Sequence, residues 1–384
     1  MYTNKHVKHV LPIHVINPRT DSEKSVHIGE ELESLIKTMG GDIVERVIQK
    51  RSVPDQATYI GQGKLQEICY LVEDLDIDIV VLNAMAKPRQ IHAIKTRLEK
   101  INPEIEVWDR VDLILQIFDK HAATTEAKLQ IELARMRYMG PRIYGMGMVM
   151  SRQGGGIGTV GVGETNTELM KRHWRDEMKS VMNELEKLRQ NRERQLERRK
   201  RAGYKTVSIV GYTNAGKSSL YNLLTKKGKL VKDALFATLD SSLGKVYLAG
   251  LDEEILLSDT IGFIRDLPPN LIDAFKSTLM ESVHADVLLH VIDVSDEEMD
   301  EKIRVVEKIL HDVGVSNKTP VIYVFNKLDK APNIDKAHIE EQYAEHNPHF
   351  ISVADQLGIE TLQDSISKQL VQIAQTSQEH SETE

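Results

Sequence analysis

Short apolar runs alternate with amphipathic stretches along the first part of the chain. Runs at 7–16, 42–48, 77–82 and 104–108 have the length and β-branched content of strands. The stretches 22–39, 64–74 and 87–100 between them have helical spacing. This alternation predicts a small α/β domain with a largely parallel sheet. A helical pattern then covers 111–139 with no Pro or Gly inside it and is expected to stop at Gly140-Pro141. Over 140–163, nine of 24 residues are glycine, which predicts a loop. Helical spacing returns over 164–202, with Met178, Val181, Leu185 and Leu188 on one face, so the two stretches predict an αα hairpin. Beyond Ala202-Gly203, strand-like runs at 205–210, 254–258, 286–293, 320–325 and 350–353 alternate with helical stretches at 216–225, 271–284, 297–313 and 359–375. That pattern predicts a doubly wound α/β domain. The expected organisation is an α/β domain (1–110), a helical arm with a Gly-rich loop (111–202, loop 140–163), the doubly wound domain (203–376) and a polar tail (377–384).

Composition adds exclusions. Apolar residues make up 41% of the 384 positions and charged residues 28%, so a disordered or fibrous chain is excluded. The single cysteine, Cys69, rules out a disulfide framework and a cysteine-rich zinc site. No apolar run reaches the ~18–20 residues of a membrane span, and the N-terminus lacks an apolar signal core, so a cytoplasmic protein is expected. The net charge of −8 taken alone argues against a nucleic-acid binder, yet 187–205 holds nine Lys/Arg against two Glu, a local +7, and no DNA partner is expected. Arg198, Arg199, Lys200 and Arg201 could pair with RNA phosphates; the plainer reading is a solvated helix face.

The chemistry sits in the last domain. A buried strand, 206–210, runs into Gly211-Tyr212-Thr213-Asn214-Ala215-Gly216-Lys217-Ser218, a full GxxxxGK[ST] loop followed by a helical stretch. Glycines let backbone N–H groups turn inward on phosphate oxygens, and the helix presents its positive end. Gly211, Asn214, Ala215, Gly216, Lys217, Ser218 and Ser219 are the candidate phosphate contacts, with Lys217 on the β/γ-phosphates and Ser218 on Mg²⁺. Asp259-Thr260-Ile261-Gly262 follows the next strand; Asp259 can hold Mg²⁺ and the Gly262 N–H can meet a γ-phosphate. Asn326-Lys327-Leu328-Asp329 ends a later strand, where Asp329 can accept from both N1–H and N2–H₂ of guanine, a pair that adenine lacks. Together these motifs predict GTP, with Mg²⁺, over ATP. Ser352-Val353-Ala354 is a weaker base-loop match, and Thr238 is the candidate switch I threonine and third Mg²⁺ ligand, against an incidental loop threonine.

These residues resemble a translation-factor-related GTPase, and the rest of the chain resembles the HflX family of ribosome-associated GTPases over about residues 10–375. The match is carried by Ser151-Arg152-Gln153-Gly154-Gly155-Gly156-Ile157-Gly158-Thr159 with Gly161 and Gly163-Glu164-Thr165. Lys128-Leu129-Gln130-Ile131-Glu132-Leu133-Ala134, Asp109-Arg110 and Asp259-Thr260-Ile261-Gly262-Phe263-Ile264-Arg265-Asp266-Leu267-Pro268 extend it. The resemblance implies binding to the large ribosomal subunit and its rRNA, and splitting of stalled or idle 70S ribosomes under stress or antibiotic. It also implies that Arg152, Gly154, Gly155, Gly156 and Gly158 lie near the tip of an arm directed at the peptidyl-transferase region. The chain departs from the family pattern at Val160, Val162, Asn166-Thr167, Asp240-Ser241-Ser242-Leu243-Gly244 and Ser352-Val353.

Phe263 stands where Ras-like GTPases carry the glutamine that orients the attacking water. No side chain is assigned as general base. Charge stabilisation by Lys217 and Mg²⁺ predicts slow hydrolysis by the free protein, with the water-positioning group supplied from elsewhere, such as the ribosome. The alternative class is a nucleotide-gated ribosome-binding module, an assembly factor, whose hydrolysis is incidental. Gly61-Gln62-Gly63-Lys64 lacks phosphate-loop spacing and reads as a turn before a helix, and His290 reads as a core-strand histidine.

Overall fold

The computed structural model describes residues 7–19, 22–153, 166–226, 235–236, 242–265, 267–268, 271–272 and 279–381. Contacts divide the chain into two compact units, 1–120 with 131–183, and 121–130 with 184–384.

In the first unit, β1 (His9–Ile16), β2 (Asp42–Ile43), β3 (Val47–Lys50), β4 (Ile79–Leu82) and β5 (Glu106–Asp109) form one sheet of order β2-β1-β4-β5, with β3 also on β1 and every pair parallel. The single strand expected over 42–48 is two short strands. Asp42–Ile43 pairs with His9 and Val10, Val47–Lys50 pairs with Ile13–Ile16, and the register slips by one residue between them. Helices α1 (Ser22–Met39), α2 (Gln62–Asp74) and α3 (Pro88–Leu98) supply the crossovers that parallel strands require. In α2 the residues Leu65, Ile68, Cys69 and Val72 are buried at i, i+3, i+4 and i+7, the spacing that puts one stripe on a sheet. Helix α3 starts with Pro88 at N1 and with the Gln90 side chain accepting from the Lys87 N–H at 2.9 Å.

The helix expected over 111–139 is broken. Helix α4 (Arg110–His121) ends before Ala122-Ala123-Thr124, and α5 (Thr125–Gln153) restarts with the Thr124 hydroxyl accepting from the Ala127 N–H at 3.1 Å. An N-cap threonine after two alanines gives no stop signal, so spacing alone reads through it. The stop expected at Gly140-Pro141 is absent, and α5 continues to Gln153. Proline removes one N–H rung, but its fixed φ is itself helical, so an established helix can absorb the local cost of about 3 kcal/mol. Helix α6 (Asn166–Arg201) follows; the glycine-rich residues 154–165 between them lie outside the described residues.

In the second unit, β6 (Thr206–Gly211), β7 (Ser242–Leu248), β8 (Glu253–Asp259), β9 (Val287–Asp293), β10 (Val321–Asn326) and β11 (His349–Phe350) form a sheet of order β11-β10-β9-β6-β8-β7. All pairs are parallel except β7 with β8. Residues Val207, Ile209, Leu289, Val291, Ile322 and Val324 pack one face against α7 (Lys217–Thr225) and the final helix. The other face, with Ile292, Tyr323 and Phe325, meets α8 (Met299–Val313) through Ile303 and α9 (Lys336–Gln342) through Ile339. The final helix, α10 (Ile359–Ser381), runs past the stretch predicted for it. Parallel strands buried on both faces carry their C-terminal ends to one edge, where ligands of such sheets bind.

Candidate functional site

At that edge, β6 is buried and delivers the chain into the loop 211–216. Gly211 has φ +148°, and a Cβ there would sit 2.3 Å from the Val291 carbonyl oxygen. Gly216, the N-cap of α7, has φ +97°, and a Cβ would sit 2.2 Å from the Asn326 amide nitrogen. The glycines are therefore required by shape as well as by backbone conformation. Lys217 Nζ donates to the Tyr212 carbonyl at 2.6 Å and is 6% exposed. Burial pulls its pKa down to about 8, against the opposing pull of Asp259, with Lys327 adding to the lowering. Ser218 Oγ donates to Asp259 Oδ2 at 2.8 Å, so the two oxygen ligands predicted for Mg²⁺ converge from α7 and the end of β8. An Mg²⁺ that keeps waters and phosphate oxygens needs only one or two protein oxygens, and this pair fits it.

Asn326 ties the motifs together: its Nδ2 donates to the Ala215 carbonyl at 2.9 Å, and its Oδ1 accepts from the Val353 N–H at 3.2 Å. Lys327 has φ +69° and pairs with Asp293 at 2.6 Å. Asp293 belongs to none of the sequence motifs; the structure brings it to the site by pairing it with Asn326 at the ends of β9 and β10. Asp329 accepts from Ser352 Oγ at 2.8 Å and is exposed. Ser352 is buried, Val353 half-buried and Ala354 exposed, and the Ser352 hydroxyl bond sets this candidate base loop beside Asp329. Ser219 is half-buried on α7, and Asn214 is exposed with φ +62°.

Phe263 is 1% exposed and forms an isolated parallel bridge with Tyr212. Thr238, Gly154, Gly155, Gly156 and Gly158 lie outside the described residues, as does the side chain of Arg152. Arg198, Lys200 and Arg201 are exposed on the last turns of α6. Arg199 differs from them: its Nη1 reaches both carboxylate oxygens of the buried Glu281, at 3.0 and 3.2 Å. It therefore pins α6 to the helical turn 279–283 instead of facing solvent. His290 is 1% exposed with its ring edge-on to Tyr323 at 4.9 Å, and burial pulls its pKa down to about 3, so it is a neutral core histidine. Gly61 is the N-cap of α2, the turn before a helix that its spacing suggested.

The buried ammonium makes a prediction with a definite sign. As the candidate phosphate lysine, Lys217 would act as the ammonium, and bound phosphates would hold it protonated. In the free protein it loses its proton near pH 8, so nucleotide affinity is full below pH 7 and falls as pH rises. The expected loss is about tenfold in GDP affinity between pH 7 and pH 9. Titrating a fluorescent GDP across that range checks it; a flat profile contradicts it.

A mixed sheet whose strand ends gather a GxxxxGK[ST] loop, a DxxG turn and an NKxD turn defines a P-loop GTPase. Three family models match in chain order: GTP-binding GTPase N-terminal over 27–119, GTP-binding GTPase middle region over 121–199, and 50S ribosome-binding GTPase over 206–327. The chain belongs to the HflX family. It is 43% identical over 340 residues to the GTPase HflX of Caldanaerobacter subterraneus subsp. tengcongensis, covering 88% of this chain and 76% of that one. With the Escherichia coli GTPase HflX it shares 35% over 348 residues, covering 91% and 80%. Among solved structures, a GTP-binding protein of Sulfolobus solfataricus in complex with GDP matches at 26% identity and TM-score 0.52, covering 96% of this chain and all of that one. The SsGBP–GDP complex matches at 28% and 0.54, covering 95% and 99%. No described helix is long and apolar enough to cross a membrane.

Proposed function

We propose that this GTPase, in its GTP form, binds the large ribosomal subunit and splits stalled or idle 70S ribosomes, and that the subunit stimulates its hydrolysis. The observation that carries the reading is an assembled nucleotide site in a chain whose residues 206–327 match 50S ribosome-binding GTPases. In this reading Lys217 and the loop amides hold the β- and γ-phosphates, Asp329 reads guanine with support from Ser352, and Asn326 braces both loops. Ser218 and Asp259 hold Mg²⁺, which neutralises phosphate charge when bound. Phe263 has no group that can orient water, so a stimulating partner completes the site. Arg198, Lys200 and Arg201 meet rRNA phosphates, and Arg199 keeps its structural pairing with Glu281.

The test is co-sedimentation with separated subunits across a salt series, with hydrolysis and 70S dissociation followed alongside. The GTP form should pellet with the large subunit, and saturating subunit should accelerate turnover. Changing Arg198, Lys200 and Arg201 together to Gln should lower the slope of log affinity against log salt by about 2–3, since each neutralised phosphate contributes ~0.7–0.9. Binding without stimulation would leave a nucleotide-gated module with incidental hydrolysis; no binding would overturn the reading.

A further inference from the structure

We infer that the first unit carries a binding site of its own, a cavity beside the edge strand β5 that takes one unstacked base of single-stranded RNA against Trp108. The first sheet ends at β5. Beside that strand, α3, α4 and α5 leave a cavity of about 400 Å³. This lies in the lower part of the ~300–1,000 Å³ range of small-ligand pockets. It suits one base with its sugar and is too small for a duplex. Its walls are largely apolar, with Ile91 from α3, Leu115 from α4, Met139 from α5 and the half-buried Trp108 from β5. The Trp108 indole N–H donates to Glu106 Oε2 at 2.9 Å, so the polar edge of the ring is satisfied within its own strand. Among the described residues no aromatic ring stacks on it, and Lys8 Nζ lies 6.0 Å from a ring centroid.

The charged groups lining the cavity are not equally committed. Glu106 accepts from Lys8 at 2.5 Å as well as from the indole, and Asp112 accepts from the Asp109 N–H at 3.1 Å. The cations are held more loosely. Lys95 is 3.6 Å from Glu99 and Arg135 is 3.7 Å from Asp119, and these four side chains are 42–55% exposed. Exposed pairs of this kind are weak and exchange readily for a ligand's charge. Arg135 Nη2 is shut off from water and has no hydrogen-bond acceptor. A buried donor left unpaired costs free energy that an acceptor atom on a ligand recovers. The cavity therefore offers a flat aromatic wall, an unpaired donor and available positive charge.

An unstacked nucleotide matches all three. Its base has a π-face for Trp108 and carbonyl or ring-nitrogen acceptors for Arg135, and its phosphates complement Lys95 and Lys8. Single-stranded RNA is recognised by this combination of stacking, edge hydrogen bonds and backbone charge. An acidic peptide would use the cations but would bring no acceptor-bearing plane to the tryptophan. RNA is the nucleic acid here because the large ribosomal subunit is the proposed partner, and on that point the inference rests on the proposed function.

The experiment uses the full chain with Trp174→Phe, in which Trp108 is the only tryptophan left. Its indole emission is titrated with a short mixed-sequence single-stranded RNA, the same RNA as a duplex, adenosine monophosphate and a polyglutamate peptide. The expected result is saturable quenching by the single strand, since a stacked base quenches indole, with the other three far weaker. With a labelled single strand, Trp108→Ala and Arg135→Gln should each weaken binding about tenfold, the usual scale of losing one stacked base. GDP affinity should stay within about twofold in both, as the nucleotide site lies in the other unit. Arg135→Gln leaves the tryptophan in place, so it tests the pocket even if Trp108→Ala folds poorly. No quenching by the single strand, equal quenching by the duplex or the monophosphate, quenching by the peptide alone, or unchanged RNA affinity in both variants would overturn the inference. Failed quenching with normal pelleting on the large subunit would remove this pocket and leave the proposed function standing; quenching without pelleting would do the reverse.

Discussion

Lys217→Ala should reduce GTP and GDP affinity by about 100-fold or more at pH 7 while the chain stays folded. The argument is electrostatic. The ammonium is enclosed, it donates to the Tyr212 carbonyl, and burial already works against its charge. A phosphate arriving there meets a charge with little water between. At about 4 Å and an effective dielectric near 20, the attraction is on the order of 4 kcal/mol, and screening by Mg²⁺ and solvent leaves roughly 2–3 kcal/mol of that. Removing a desolvated charge also lifts a cost from the nucleotide-free fold, so its melting temperature should not drop by more than a few degrees. Titration of fluorescent GDP with a parallel melting curve checks both halves. Binding within threefold of the wild type would contradict the phosphate-loop assignment.

Asp329→Asn should lower GTP affinity by about 100-fold and transfer preference to xanthosine triphosphate. The carboxylate is held by Ser352 Oγ and can accept from both N1–H and the exocyclic amine of guanine. An asparagine amide turns one acceptor into a donor and sets it against a guanine donor. Two charge-assisted hydrogen bonds are worth about 1.5–3 kcal/mol each, discounted here because Asp329 is exposed before the base arrives. Xanthine carries a carbonyl in place of the amine, so the amide fits it. Competition of both triphosphates against labelled GDP checks the swap; unchanged GTP preference would remove Asp329 from base reading.

The central strands of the second sheet were legible because their apolar runs are buried on both faces, as the burial of β6 and β9 shows. β7 was not legible: Ser242–Leu248 buries only alternate positions around Gly244 and forms an antiparallel edge. The α4–α5 break turns on the Thr124 side chain, and the run of α5 through Pro141 turns on an established helix, and neither leaves a distinctive spacing. The nucleotide motifs were legible because each needs a fixed residue order at a strand end. Contacts between distant segments were not. Arg199 reads as one of four equivalent cations until Glu281 is beside it, and Arg265 reads as a switch II charge until Glu298 closes on it.

The bracing by Asn326 has a consequence for the order of events during synthesis. Its amide fixes the Ala215 carbonyl from 111 residues downstream. At about 5–20 residues per second, the phosphate loop leaves the translating ribosome some 6–22 s before the side chain that braces it. The nascent chain therefore lacks this brace until Asn326 has emerged, and a competent nucleotide pocket forms only after the whole span from the phosphate loop to the end of β10 has left the ribosome.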